Sequence, residues 1–173
     1  MIDVHVLTHE GTRRDWLDQC LASMRDEPVN VHVVDNAGRS VGEGRARGYA
    51  LGTAPYVAYV DSDDYVISGC FDACLEALQH NHAVVTLEQV ERNGFVIPVP
   101  KPAHNVSVYL RVDVEPYLHL MELSPHTTDW HMRRIIRPIQ LPTVGYVWRV
   151  HAAGDHHKTI AALEKEHPLW QTA

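Results

Sequence analysis

The chain predicts an α/β fold with a mostly parallel sheet and flanking helices in a single domain, and three observations carry that expectation. Its first half alternates strand-like and helix-like segments joined by short links. Strands joined through helices in this way run parallel, with right-handed crossovers. Each of the first three strand-like runs also ends in a polar cluster, THEG, DNAGRS and DSDD. Ligands of such sheets bind beyond the carboxyl ends of the strands, so the clusters converge on one cleft.

Element by element, IDVHVLTH reads as the first strand, and RRDWLDQCLASMRD as an amphipathic helix with Trp16, Leu17, Cys20, Leu21 and Met24 on one face. VNVHVVDN is a second, β-branched strand. A loop and short helix follow in GEGRARGYALGTA, and PYVAYVDSDD is the third strand. SGCFDACLEALQHN is a helix with Ser68 as its cap. In the second half, HAVVTLEQVERNGFVIPVP reads as a hairpin turning at Asn93-Gly94, with a loop at Pro98, Pro100 and Pro102. NVSVYLRVDVEPYLHLMELS mixes a strand with a short helix, and TTDWHMRRIIR is a helix entered at Thr128 or Asp129. IQLPTVGYVWRVH is a late strand, and the final fifteen residues read as a closing helix.

Composition narrows the function. The 173 residues suffice for one sizeable core, and a formal net charge of −7 argues against broad binding to a nucleic-acid backbone. Cys20, Cys70 and Cys74 form no paired framework and read as buried, reduced thiols. Without a signal peptide or an apolar run long enough to span a bilayer, a cytoplasmic protein is expected. Thirteen histidines call for a metal reading at each cluster, yet no Cys/His spacing matches a zinc site. His126 and His131 read as surface imidazoles.

Asp61, Asp63 and Asp64 end an apolar strand, where crowded carboxylates repel one another and desolvation is costly unless a positive group sits there. A divalent cation meets that need; the plain alternative is a solvated acidic turn capping the next helix. Asp35 is either a ligand-binding carboxylate or the start of an Asx-turn before Gly38.

VHVLTHEGTRRDWLDQCLASM, VHVVDNAG and GEGRARGYALGTAPYVAYVDSDDYV, with TTDWHMRR and YVWRVHAAGDHHKT further on, together resemble a family 2 glycosyltransferase. That resemblance implies a GT-A-like, Rossmann-type domain over residues 1–173, with a nucleotide-binding half in 1–80 and a reduced acceptor and metal-closing half in 81–173. It implies a nucleotide-sugar donor, UDP-linked by default, bound by Thr8, His9, Glu10, Asp35, Asp61 and Ser62. Asp35 would take the uracil N–H. Arg45 and Arg47 lie where a phosphate or ribose contact is expected, or are solvated helix arginines. Mn²⁺ or Mg²⁺ would be held by Asp63 and by His151, with His156 and His157 as alternatives, to neutralise the departing diphosphate. Asp129 would be the base of an inverting transfer, its plain reading being a helix-start acid stabilised by the dipole.

Two positions depart from the family pattern: Gly48 replaces the common Asn, and Thr128 replaces the Glu before Asp129. The stretch between the third strand and Asp129 is also short, and that reduced acceptor region, with the missing Glu, keeps open a catalytically degenerate domain that binds a nucleotide or partner. A nucleotidyltransferase is a further alternative, disfavoured because THEGTRR is poor in glycine. The acceptor stays open among glycan, lipid-linked sugar, protein and modified nucleic-acid base.

Overall fold

The computed structural model describes residues 1–151, excluding the side chains of 98–105. Seven strands form one sheet: β1 (Ile2–Thr8), β2 (Val29–Asp35), β3 (Tyr56–Asp61), β4 (Tyr65–Val66), β5 (Ala83–Arg92), β6 (Phe95–Leu110) and β7 (Ile139–Val150). Their order is β2-β1-β3-β6-β5-β7-β4. β1 pairs in parallel with β2 and β3, and β5 with β7, whereas β6 and β4 run against their neighbours. Five strands therefore share a direction, and the sheet is mostly parallel.

Helices cover both faces. Alternation along β1 sends Ile2, Val4 and Val6 to one side, where they pack with Leu17, Cys20 and Met24 of the α1 region (Arg14–Ser23) and with Phe71 and Cys74 of α3 (Cys70–Ala77). The opposite face packs Tyr59 and Tyr109 against α2 (Val41–Tyr49), α5 (Leu118–Glu122) and α6 (Thr128–Ile136). A four-residue helix α4 (Arg111–Val114) and one 3₁₀ turn link β6 to α5.

α2 comes unusually close to its neighbours because it lacks side chains where they meet. A Cβ at Gly48 would lie 2.3 Å from the His5 ring, and one at Gly42 2.0 Å from the Ser124 carbonyl oxygen. The glycine standing at the family's Asn position therefore seats α2 on β1.

Three local expectations need correction. The proline segment is strand rather than loop: β6 runs unbroken from Phe95 to Leu110, with Pro102 opposite Leu87 and register shifts nearby. Such irregularities are where a strand tolerates proline. α3 is not capped by Ser68. Gly69 holds the cap position, and the Glu27 carboxylate accepts from the N–H groups of Gly69 (2.6 Å) and Phe71 (2.9 Å). His131 is buried, because it shares the sheet-facing side of α6 with Thr128 and Met132, whereas His126 is exposed. The hairpin turn forms as expected, with Asn93 and Gly94 both at positive φ. All three cysteines are buried and free. Among the described residues no helix is long and apolar enough to cross a membrane.

Candidate active site

Register brings the three polar strand ends together. Thr8 lies opposite Asp35 across β1 and β2, and Leu7 opposite Asp61 across β1 and β3. The carboxyl ends of three adjacent parallel strands thus form one rim. On it, Asp35 is exposed and its Oδ1 accepts the Ala37 N–H at 3.0 Å, an Asx-turn that leaves the second oxygen outward. Arg47 donates to the Asp35 carbonyl at 3.1 Å from the exposed side of α2. His9 and Glu10 are exposed, and the His9 ring accepts the Gly11 N–H at 3.0 Å.

Arg45, at 2 % exposure, faces inward from α2. Its guanidinium stacks over the Tyr59 ring at 3.5 Å, pairs with Asp61 Oδ1, and lies 3.4 Å from Asp129 Oδ2. One buried cation therefore joins the end of β3 to the start of α6. The helix start places Asp129 there, at the dipole's positive end. Burial pushes the Asp129 carboxyl above the usual aspartate range, an effect opposed by Arg45, reinforced by Asp61 and opposed again by a Tyr59 hydrogen bond. Among the described residues, Asp129 Oδ1 has no hydrogen-bond partner.

The acidic bend divides its labour. Asp64 turns inward, accepting from the Tyr146 hydroxyl and from the Arg149 N–H, each at 2.6 Å. Burial, with Asp63 and Asp61 nearby, pushes its carboxyl pKa upward against those two hydrogen bonds. Asp63 stays partly exposed, and His151 Nε2 stands 2.7 Å from its Oδ2. Ser62, between Asp61 and Asp63 in sequence, is partly exposed. His156 and His157 lie outside the described residues.

Arg149 is the residue that sequence reasoning underused. Its side chain donates to Glu91 Oε1 at 3.0 Å, to Gln19 Oε1 at 2.7 Å and to the Asp63 carbonyl, and it lies 4.9 Å from the Trp16 ring. The His151 ring packs against the same indole at 4.7 Å. A helix, two strands and the acidic bend are fastened by this one side chain. The available signal was Arg149 lying two residues before His151 in the YVWRVH segment.

Asp63 and His151 offer one carboxylate and one imidazole, a donor set suited to Mn²⁺ and less to Mg²⁺. Among the described residues no three His, Cys, Asp or Glu side chains converge as a metal-ligating group. A cation held by this pair would need oxygens from a bound diphosphate.

Comparison with known proteins gives a family and a fold for the chain. Residues 11–143 match the family described as Glycosyl transferase family 2. No curated protein matches by sequence. Among solved structures, the 1–349 fragment of S. aureus TarS is similar at 16 % identity and a TM-score of 0.64, over 86 % of this chain and 60 % of that one. Its complex with UDP-GlcNAc gives 15 %, 0.69, 97 % and 66 % respectively. Its complex with UDP gives 15 %, 0.66, 98 % and 64 %. At such identities the likeness is one of fold, and the chain spans less than two thirds of those structures' length.

Proposed function

Because this chain belongs to glycosyl transferase family 2, we propose that it moves a sugar from a UDP-sugar to a hydroxyl acceptor, with inversion and with a divalent cation bound. The observation that carries the reading is the Arg45 bridge, which sets a donor-side carboxylate and a base on either side of one guanidinium. Thr8 and Asp35 meet the uridine at the rim, with His9, Glu10 and Ser62 around it, and Asp61 meets the ribose. Arg47 lies on the exposed side toward the phosphates. UDP-GlcNAc is the first donor to test, since the TarS fragment is described in complex with it.

Asp129 removes the acceptor proton onto Oδ1 as the acceptor oxygen attacks the anomeric carbon. The bond from that carbon to the diphosphate oxygen breaks, and its electron pair leaves with UDP. A carboxyl raised by its surroundings is the stronger base, and Arg45 beside it favours the charged form. Asp63 and His151 would hold Mn²⁺ or Mg²⁺, which neutralises the charge on the departing diphosphate.

Thermal-shift measurements with UDP and UDP-GlcNAc, with and without Mn²⁺, test the donor and metal parts together. Stabilisation by UDP that depends on Mn²⁺ is the expected result; none with any nucleotide would refute the reading. A non-catalytic binder has one observation in its favour, the buried Thr128 at the family's Glu position. It predicts donor binding without transfer or donor hydrolysis.

A further inference from the structure

Outside the cleft, α6 carries a second feature. Trp130, Arg133, Arg134, Arg137 and Pro138 line an open groove of about 360 Å³. Trp130 is 38 % exposed, uncommon for an indole, and the Arg134 guanidinium sits 4.5 Å over its ring. None of the lining residues is acidic, in a protein whose formal net charge is −7. The helix dipole accounts for cations in the last turn. It does not account for an aromatic wall or for the concavity.

The groove also adjoins the base. Trp130 follows Asp129 directly, and Arg133 lies one helical turn on, at the i+4 position that shares its face. Both Asp129 and Arg133 act electrostatically on the buried Tyr109 phenol. Asp129 is not itself a lining residue, but it immediately precedes the Trp130 wall and so stands beside that end of the groove.

We propose that this groove binds the acceptor, and that the acceptor is an anionic glycan. A sugar ring would pack on the Trp130 indole while phosphate or carboxylate groups meet Arg134 and Arg137. The inference rests on the glycosyltransferase reading and adds to it the class of acceptor. Guanidinium forks suit both anions, so the two sources share one chemistry and are separated by experiment.

Three oligosaccharides of equal length serve as probes of the whole chain: one neutral, one bearing uronic carboxylates and one bearing phosphodiesters. Binding is read from the Trp130 indole N–H resonance, assigned by comparison with Trp130→Phe. At least one anionic probe should shift that resonance and the neutral probe should not, and the tighter of the two names the anion. In an Arg134→Gln/Arg137→Gln variant the anionic affinity should fall at least about tenfold, with UDP stabilisation retained. Equal binding of the neutral probe, no response at Trp130, or unchanged affinity in the variant would overturn the proposal. So would a variant that loses UDP stabilisation but keeps the glycan, because the arginines would then serve the donor. Wild-type protein that takes the anionic probe but never UDP supports the groove and overturns only the donor reading.

Discussion

Arg45 is shared by two acids, Asp61 and Asp129. Asp129→Asn keeps size while removing basicity, so donor affinity should hold while transfer falls by about 10² to 10⁴. The pH profile offers a separate check. Arg45 pulls the Asp129 carboxyl down against burial, so Arg45→Gln should move the acidic limb of the rate profile to higher pH. Arg45→Lys restores a cation and should bring the limb part of the way back; a limb unmoved in both variants would detach Arg45 from the base. At the neighbouring bend, Asp63→Ala should remove the Mn²⁺-dependent stabilisation by UDP and leave the fold intact, because Asp64 and Arg149 hold the bend without it. Unchanged UDP–Mn²⁺ affinity in that variant would clear Asp63 of any metal role.

Among the elements, α2 is the least forgiving. A methyl group added at Gly42 would lie within 2.1 Å of two backbone carbonyl oxygens, those of Ser124 and Met121, whereas one at Gly48 would meet a side-chain ring at 2.3 Å. Backbone yields less than a ring, so Gly42→Ala should destabilise more than Gly48→Ala, whose cost should be about 1–3 kcal/mol by denaturant unfolding. The start of α3 predicts a smaller loss, about 1–2 kcal/mol for Glu27→Ala, because two helix N–H groups lose their acceptor. These elements also show what sequence could reveal. β3 was legible as a nearly continuous apolar run ending at a local polar boundary, and β1 as an alternation of Ile2, Val4 and Val6 with polar residues ending likewise. The Glu27 cap was not, since its partners lie over forty residues away and Ser68 offered a nearer candidate. Arg149 was hidden for the same reason: an arginine in a strand reads as solvent-facing until Glu91 and Gln19 are found beside it. β6 misled because proline punctuates locally, while pairing with β5 retained the segment in the sheet.

At the scale of the whole molecule, the end of the sheet away from the cleft is fastened by Asp3. Its buried carboxylate accepts from Asn30 (2.9 Å), the Ala54 N–H (2.7 Å) and Arg111 (2.6 Å), and Arg111 also donates to the carbonyls of Tyr49, Leu51 and Ala54. This binds β1, β2, the loop before β3 and the start of α4 together. Burial alone would raise the Asp3 carboxyl, but hydrogen bonds from Asn30, Ala54 and His32 outweigh it and hold it below the ordinary aspartate range. A folded pKa depressed in this way stabilises the fold above the unfolded value of about 4. That contribution disappears as pH falls from there through the folded value. Arg111→Met, which leaves the carboxylate buried without its cation, should cost about 3–5 kcal/mol at neutral pH. The deficit should shrink on acidification, and one that stayed constant to low pH would contradict the ion-pair account.

β7 lies between β5 and β4 in the sheet although it is the last strand of the described chain, and it carries Tyr146, Arg149 and His151 to the acidic bend. The consequence concerns order in time. As the polypeptide leaves the ribosome, β1, β2 and β3 are available to pair long before anything can clasp Asp63 and Asp64. On the proposed reading, the nascent protein therefore holds its rim for a nucleotide before its bend is complete, so competence for the donor arrives with β7 rather than growing gradually with length.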